Sequence, residues 1–473
     1  MRAFMTAVAI ITCMKCVAAT HYVVPPGTAG ASPADPYTNW GTAGTNIIDV
    51  VNAAMSNSTA RLVWVTNGTY WLTNTISITN LLTLQSVNGQ DMTILTQDKT
   101  FDSNRCISMS PLAAGSVFDG FTVSNFCVTN GSGIAYASTA DVRVQNCLFI
   151  DNSNKYTVSG TGGGTLFIRY SGTITNCIFK NNWVTQYGGG IYSGTLSYLT
   201  IAGCRFEGNK AISYYGGACW LQGTNIVVSN CAFISNQTSS RGGGLYIGGS
   251  TNNRVLNCSF TSNTLVYGGG GTEKKGQGGG IYFACGPDSI IKNCSIIGNV
   301  TPNVGGGVYG TNITIRNCLI ARNQSTTNIG GGIWMTNGNV ESCTIVSNYA
   351  KVAGGGVYID GPDSIGTNNI IYFNTASAAA NFTNTAGNTG LNYCCVFPAV
   401  DGTGNITNNP LLKNLAGGDY RLRMTSPCVN TGTNQPWMTN ALDLDGNARI
   451  LKAIVDMGAY ETRLWQGTIF KIP

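Results

Sequence analysis

The sequence is short of charged residues. Only 10% of its 473 residues are Asp, Glu, Lys or Arg, against about 25% in an average soluble domain. Charged helical faces cannot be built in quantity from so few, and residues 46–55 carry the clearest helix-period pattern. A formal net charge of +6 on a chain of this length also argues against nucleic acid as a partner. We therefore expect an all-β protein with one short helix near its start.

Long apolar runs are also scarce. Beyond the first residues no segment has about 18 consecutive apolar residues, so we expect no transmembrane span. The first residues differ, since Arg2, an apolar run over 4–14 and Val17-Ala18-Ala19 are typical of a signal peptide. We predict a signal peptide at 1–19 and a secreted product, whether extracellular, periplasmic or associated with the outer surface.

Glycine, in contrast, is abundant, with 62 residues. Much of it recurs in one motif, which reads GGGIY at Gly188 and returns as a close copy at Gly242, Gly278, Gly305, Gly330 and Gly354. A phosphate-binding loop occurs once per domain, whereas a motif that returns at this interval is typical of a repeat architecture. The glycines therefore indicate scaffold.

A second motif alternates with the glycines. A Cys is followed two residues later by Phe or Ile and five residues later by Asn, and this pattern recurs at Cys147, Cys177, Cys204, Cys231, Cys258, Cys294, Cys318 and Cys343. A unit of this length with two or three short strands matches one coil of a parallel β-helix. The chiral preference of parallel crossovers makes the helix right-handed. We predict an all-β, right-handed, single-stranded parallel β-helix with a short N-terminal capping helix.

Strand alternation assigns the faces of each coil. Cys and the Phe or Ile two residues later share the interior face, and the residue between them faces out. The Asn suits a corner because it tolerates the left-handed conformation and its amide can bond to the same Asn in the next coil. The glycines make the next corner, where bare backbone can turn sharply or pass close to its neighbour.

These repeats carry a resemblance. The pairing of F-x-x-N, as at Phe149 to Asn152, with G-G-x-[ILV] resembles the repeats of polymorphic outer-membrane proteins over roughly 140–375. Those proteins are surface adhesins with right-handed β-helix passengers, so the resemblance implies an adhesin-like role at a cell surface. Residues 21–24 and 67–70 are similar to the N-terminal cap of secreted pectate-lyase-like proteins. Residues 409–461 resemble their choice-of-anchor Q domain.

From these observations we divide the chain. Residues 1–19 form the signal peptide, 20–100 the N-terminal cap and first coils, 101–380 the β-helix repeats and 381–473 the C-terminal capping region. Both ends of a solenoid need covering because open coil ends are unpaired sheet edges.

Carboxylates that could support catalysis are scattered. Glycoside hydrolysis needs a carboxylate pair at a fixed separation, and a calcium-dependent lyase needs several acidic ligands beside a base. Asp360 and Asp363 are the best remnant, although they fit a turn more simply. Asp443, Asp445 and Asn447 have alternating calcium-loop spacing, but the glycine falls at the fourth place and the twelfth lacks Glu. A structural turn is favoured, and calcium stays open as a cofactor.

The cysteine column lacks the C-x-x-C clustering of zinc sites. Buried free Cys packs as a small hydrophobe, so we predict a core ladder of thiols, with disulfides between coils as the alternative. Cys394, Cys395 and Cys428 lie outside the column and are the better disulfide candidates.

One column of residues leaves a function open. If Ile191 and its equivalents point inward, the aromatic residues that follow them point outward as a strip suited to sugar rings or a protein surface: Tyr192, Trp220, Tyr246, Tyr282, Tyr309, Trp334 and Tyr358. The alternative is that they stack on one another. An insertion at 266–277, with Lys274 and Lys275, could add to the site.

We predict a non-enzymatic protein that binds a polysaccharide or a cell-surface component through this strip and loop. A divergent polysaccharide lyase and a structural envelope spacer are the alternatives.

Overall fold

The computed structural model describes residues 19–56, 62–97, 104–129, 131, 133–155, 162–194, 198–249, 251–266, 275–362, 364–387, 390–451 and 453–463. Over these residues the chain winds into a parallel β-helix of about 11 turns, in which strands of successive coils pair in register. The predicted all-β fold class is confirmed. Residues 1–18 of the predicted signal peptide lie outside the described residues, and so does Lys274.

Sheet A takes two columns of strands from the coils. Its first column contains the strands Ile76–Ile78, Ile107–Met109, Ala135–Ala137, Leu166–Ile168, Ile191–Ser193, Cys219–Gln222, Leu245–Gly248, Ile333–Thr336, Val357–Ile359 and Phe382–Asn384. Its second column contains Thr20–Val23, Leu62–Val65, Thr83–Ser86, Val117–Asp119, Val142–Gln145, Ser171–Thr175, Tyr198–Ala202, Val227–Ser229, Arg254–Leu256, Asn339–Glu341, Ile365–Thr367 and Leu391–Asn392. Two longer strands, Ile281–Lys292 and Val308–Arg316, run through both columns.

Sheet B holds the strands that follow each cysteine. They are Gly68–Leu72, Thr93–Gln97, Thr122–Ser124, Leu148–Ile150, Ile178–Lys180, Arg205–Glu207, Ala232–Ile234, Ser259–Thr261, Ser295–Ile297, Leu319–Ala321, Thr344–Val346, Ile370–Tyr372 and Cys395–Val396. Sheet C is built from shorter strands: Cys127–Val128, Ser153–Asn154, Trp183–Val184, Lys210–Ala211, Gln237–Thr238, Thr264–Leu265, Val300–Thr301, Gln324–Ser325 and Tyr349–Ala350.

The interior is a set of side-chain ladders. Phe149, Phe179, Phe206, Phe233 and Phe260 are fully buried, and their rings stack with centroids 4.5–5.0 Å apart. The cysteines two residues earlier are buried on the same face. The predicted assignment of Cys and Phe to the interior is confirmed, because strand alternation fixes both once one of them is buried.

A buried amide ladder follows the Phe ladder. Asn236 Nδ2 donates to Asn263 Oδ1 at 2.9 Å and to the Phe206 carbonyl at 3.0 Å, and the same pattern runs from Asn152 to Asn374. The predicted bond between equivalent Asn side chains is confirmed. The predicted left-handed backbone at this position is wrong, since the positive φ falls on the residue before it, such as Ser235 at 53°.

The glycine corner leaves no room for side chains. Gly188 has a φ of +61°, and a Cβ added to Gly189 would lie 2.3 Å from the Gly217 carbonyl oxygen of the next coil. The first glycine therefore turns the chain, and the second lets neighbouring coils approach closely.

The cysteines of the described chain are free thiols. Along the column each thiol donates to the main-chain carbonyl two residues earlier, as Cys231 does to Ser229 at 3.1 Å. The structure therefore has the predicted core ladder of thiols and not disulfides between coils. Cys394 extends this column, because its sulfur accepts from the Asn369 amide at 3.4 Å. The prediction that Cys394 lies outside the column is wrong, since Asn369 occupies one cysteine place and conceals the register. Cys395 and Cys428 are buried side by side without a disulfide.

Different elements cover the two ends of the solenoid. At the start, the α-helix Ile47–Ser56 buries Ile47, Val50 and Val51 against the first coils. A 3-10 turn at Trp40–Thr42 precedes this helix. At the other end, Ile406 pairs with Cys395 of the last coil.

The rest of the C-terminal segment turns back along the solenoid. It contains the antiparallel strands Leu412–Asn414 and Asp419–Leu422 and a 3-10 turn at Pro436–Met438. It packs on the outer side of sheet B, where Leu412, Tyr420, Leu422 and Met457 cover outward residues such as Leu319. Ala459 donates to Thr344 Oγ1 at 3.0 Å. The segment therefore forms a wall beside the coils as well as a closure beyond them.

Candidate functional site

The predicted aromatic residues form one continuous column. Strand pairing places Tyr192, Trp220, Tyr246, Tyr282, Tyr309, Trp334 and Tyr358 directly opposite one another on consecutive coils. From Tyr192 to Trp334 the ring centroids lie 4.4–5.8 Å apart, and the planes of neighbouring rings are within 16° of parallel. Phe167 and Tyr136 extend the stack at its N-terminal end. We call this the aromatic column.

Stacking uses the ring faces. Tyr192, Trp220 and Tyr282 are only 7%, 8% and 8% exposed, and Tyr192 and Trp220 belong to an aromatic cluster outside the main core. Burial raises the pKa of Tyr246 and of Tyr309 to about 12. The column lies outside the core, and of the two readings that the sequence left open its rings follow the alternative, since they stack on one another and each covers the faces of its neighbours. A role of these residues in ligand binding stays a prediction. The indole Nε1 of Trp220 is buried and makes no hydrogen bond to a described residue.

Arginine completes this packed surface. The guanidinium carbon of Arg241 lies 4.8 Å from the Tyr215 ring centroid and 5.3 Å from that of Tyr282, and its Nε donates to Gln277 at 2.9 Å. These are cation–π distances. The arginine therefore holds the rim of the column together.

The described end of the inserted loop meets the rod beside the aromatic column, where Gln277 accepts from Arg241 Nε at 2.9 Å. Lys275 is exposed at its end, where its carbonyl oxygen accepts from Asn303 Nδ2 at 2.7 Å. The role predicted for Lys274 and Lys275 stays a prediction.

A different feature of the molecule is concave. Where sheet A turns into sheet B, an open groove of about 800 Å³ runs between the coils and the C-terminal wall. We call it the corner groove, and it is lined by Gly203, Cys204, Arg205, Asn230, Cys231, Ala232, Asn257, Cys258, Ser259, Asn293, Ser295, Leu442, Asp443, Leu444, Gly446 and Tyr460. Its floor spans four consecutive coils, about 14 Å at the usual strand spacing.

The floor of the groove presents uncharged hydrogen-bonding groups. Asn230, Asn257 and Asn293 all precede a column cysteine, and each has a left-handed backbone that turns its side chain to the surface. Asn293 Nδ2 donates to Asn257 Oδ1 at 3.0 Å. The Asn257 Nδ2 and the Asn230 side chain make no hydrogen bond to any described residue. Two amides on neighbouring coils are therefore open to a ligand.

The floor carries little unbalanced charge. Arg205 lies at one end and pairs with Glu207 at 2.8 Å. Both side chains are substantially exposed, so the pair stabilises the fold little. A ligand in the groove therefore meets mainly amides and hydroxyls.

The wall of the groove rests on a buried ionic cluster. Arg449 is 0% exposed, and its Nη1 lies 3.3 Å from a Glu461 oxygen and donates to the Gly458 carbonyl at 3.0 Å. Burial raises the pKa of Glu461 to about 8, in spite of the nearby Arg449 charge, and burial also raises the pKa of Asp456. The cluster therefore fixes the wall segment while holding a proton at neutral pH.

The residues with calcium-like spacing serve this same wall. The Asp443 carboxylate accepts from the amides of Asp445 and Asn447 and from that of Glu461, and Asp445 pairs with Arg421 at 2.6 Å. This is the turn that the spacing favoured. Asp360 accepts from Thr385 at 3.0 Å, and Asp363 lies outside the described residues. No group of three potential metal-ligating side chains occurs in the described ranges.

Sequence reasoning missed the groove residues. An Asn precedes most of the column cysteines, and this was visible in the repeat. Its side chain does not follow the alternation of the strands, and that departure was the available signal. The missing information was the wall, because Leu444 and Tyr460 come more than 100 residues after the floor.

Comparison with known proteins identifies the family. The right-handed β-helix region matches residues 62–233 and 190–376, and the chain belongs to this family. Its right-handed sense agrees with the crossover prediction. No curated protein matches the chain. Among the described residues no helix is long and apolar enough to cross a membrane.

Solved structures resemble the chain more distantly. The catalytic domain of a GH87 α-1,3-glucanase variant in complex with tetrasaccharides has 14% identity and a TM-score of 0.44, over 73% of this chain and 67% of that one. The Dettilon tailspike protein has 12% identity and a TM-score of 0.41, over 78% and 70%. The catalytic unit of a GH87 α-1,3-glucanase from Streptomyces thermodiastaticus has 14% identity and a TM-score of 0.33, over 71% and 67%. At these values the likeness carries no information about function.

Proposed function

We propose that this chain is a non-enzymatic, exported β-helix protein that binds a glycan, and that the glycan lies in the corner groove. The observation that carries the proposal is the pair of open amides on consecutive coils, Asn230 and Asn257, in a groove that Tyr460 also lines. Export is supported by the sequence of residues 1–19.

The chemistry of the groove suits carbohydrate better than protein. Amides and hydroxyls that repeat at the coil spacing match an extended polymer with a repeating set of hydroxyl groups. An aromatic ring with a polar tip adds a surface for a sugar ring. Protein interfaces instead have an apolar centre depleted of charged residues, whereas the floor here offers only Ala232 and three cysteines as apolar groups, and the larger apolar side chains, Leu442 and Leu444, lie in the wall.

The groove does not favour the alternative of a polysaccharide lyase. Asp443 is the carboxylate among the described residues that line it, and both of its oxygens accept hydrogen bonds from the wall itself. A general base needs a free lone pair within reach of the proton it removes. We therefore assign Asp443 to positioning of the wall.

Binding to a panel of soluble polysaccharides tests the proposal. Asn257 has a φ of 54° and the equivalent Gly203 has a φ of 64°, so Asn→Gly at this place removes an amide without straining the backbone. We expect Asn230→Gly combined with Asn257→Gly to weaken the best-bound glycan about tenfold, the loss of one or two hydrogen bonds.

The matched control is Asn176→Gly. Asn176 has the same place in the repeat and a φ of 52°, but it lies outside the groove. Its affinity should equal that of the unmodified protein. Equal affinity of the groove variant and the control, or no binding to any member of the panel, overturns the proposal.

A further inference from the structure

We propose that a cationic pocket beside the corner groove receives an acidic substituent of the bound glycan, so that the ligand is an anionic polysaccharide. This inference rests on the proposed function and assigns the ligand class for the same site. The pocket has a volume of about 460 Å³, and its polar lining consists of Arg254, Asp288, Ser289, Lys292, Thr314 and Arg316.

Strand register builds the pocket. Leu256, Lys292 and Arg316 pair directly on three consecutive coils, and Arg254 lies opposite Ile290. Since Ile291 between them is fully buried, period-2 alternation turns Lys292 to the outer face of sheet A. Arg254 and Arg316 face the same way because each is separated from Leu256 or Thr314 by one buried residue. The three cations therefore share one surface.

The charges in the pocket are unequally matched. Arg316 pairs with Glu341 at 2.6 Å and lies 4.7 Å from the Trp437 ring centroid. Arg254 donates twice to Asn252 Oδ1, at 2.9 and 3.1 Å. Asp288 is exposed at the rim. Lys292 makes no ion pair with any described carboxylate.

Lys292 is the uncommitted cation of the pocket. Burial and the neighbouring Arg316 charge both lower its pKa, which is the environment of an ammonium group without a counter-ion. A carboxylate or sulfate group placed there would hydrogen-bond to the ammonium and neutralise it. Ser289 and Thr314 hydroxyls add further donors.

The pocket and the groove are continuous around the corner of the coil. Leu256 and Lys292 line the pocket, while the next residues, Asn257 and Asn293, line the groove. The same C-terminal segment borders both, since Trp437 covers Arg316 and the Leu442 carbonyl accepts from Asn317 Nδ2 at 3.0 Å. A sugar ring over Asn257 can thus direct a substituent toward Lys292.

The test compares three soluble polysaccharides by calorimetry: polygalacturonate with carboxylates, dextran sulfate with sulfates, and uncharged dextran. We expect an anionic polysaccharide to bind more tightly than dextran at low salt, and its advantage to shrink as ionic strength rises. Lys292→Gln should reduce that advantage about tenfold, the cost of a charged hydrogen bond. The control, Lys210→Gln, removes an exposed lysine of sheet C and should change nothing beyond a small effect of net charge.

The outcomes distinguish binding at the cationic pocket from binding at the corner groove. Loss of the anionic preference in Lys292→Gln, but not in Lys210→Gln, supports the pocket, and the preferred polymer identifies carboxylate or sulfate as its group. Equal binding of charged and uncharged polymers that still depends on Asn230 and Asn257 overturns the pocket and leaves the proposed function standing. Binding that is unaffected by the Asn230 and Asn257 changes overturns both.

Discussion

The aromatic column and the corner groove are built by the same repeat, and they use it in opposite ways. In the column each ring covers its neighbours, with centroids 4.4–5.8 Å apart. In the groove two of the Asn side chains that precede column cysteines, Asn230 and Asn257, leave amide groups open. The rings of the column stack on one another, whereas the amide groups of the groove remain available to a ligand.

The difference shows where a solenoid can place a binding site. Identical residues on successive coils bond to one another, so a perfect column has few groups left over. The groove becomes concave only because a non-repeating segment, with Leu444 and Tyr460, packs beside the coils. The same segment borders the cationic pocket around Lys292.

The largest loss in the free energy of unfolding should come from the aromatic column. Trp220→Ala removes a ring stacked on both Tyr192 and Tyr246, so we expect a loss of about 4 kcal/mol in the free energy of unfolding. Chemical denaturation measures it. Trp71, 66% exposed, is the control, and Trp71→Ala should cost less than about 0.5 kcal/mol. A similar small loss for Trp220→Ala would show that the stack does not support the rod.

The buried amide ladder should follow closely. Asn236→Ala removes the acceptor of the Asn209 main-chain N–H and side-chain amide, and the donor to the Phe206 carbonyl and to Asn263 Oδ1. We expect a loss of about 3 kcal/mol, since each buried unsatisfied group costs about 1–3 kcal/mol. Denaturation of Asn236→Ala beside Asn176→Gly, an exposed amide, makes the comparison. Equal stability of the two variants would contradict the ladder's role.

Much of this contrast could be predicted from the sequence, and the reasons are local. The strand faces, the Phe and Cys ladders and the Asn bonds follow from period-2 alternation and a strict repeat. The sequence left open whether rings such as Tyr282 stack on one another or offer their faces to a ligand, because ring orientation depends on how neighbouring coils pack. It could not bring Tyr460 and Asn257 into the lining of one groove, because that arrangement depends on how a non-repeating segment folds back.

The wall of the groove should respond to pH. The folded-state pKa of Glu461 is about 8, which lies above the ordinary Glu value of 4.5. Glu461 therefore holds a proton that the unfolded chain releases. The stabilisation is therefore full below about pH 4.5 and is lost as pH rises through 8. Hydrogen exchange over residues 442–461, corrected for the intrinsic pH dependence of amide exchange, should therefore speed up as pH rises from 6 to 8.

Replacing Glu461 by Gln mimics the protonated form. We expect Glu461→Gln to hold the wall more tightly than the unmodified protein does at pH 8 and to flatten the pH dependence, because the amide cannot lose a proton. The readout is the same exchange experiment at pH 6 and pH 8. A wall that loosens in Glu461→Gln at both pH values would mean that the charged carboxylate is needed to hold Arg449.

The smallest effect on stability should come from the groove floor. Asn257→Gly keeps the left-handed backbone and removes an exposed side chain, so the free energy of unfolding should change by less than about 0.5 kcal/mol. Thermal denaturation beside glycan titration separates the two roles. A large loss of stability would make Asn257 part of the scaffold, like Asn236.

Hydroxyl-radical footprinting in the presence of the tightest-binding polysaccharide tests the central claim most directly, because it reports both regions in one sample. Glycan binding in the corner groove predicts slower oxidation of Leu442, Leu444 and Tyr460, with unchanged rates at Tyr309 and Trp334. Protection of Tyr309 and Trp334, with Leu442, Leu444 and Tyr460 unchanged, would place the glycan on the aromatic column and contradict the account.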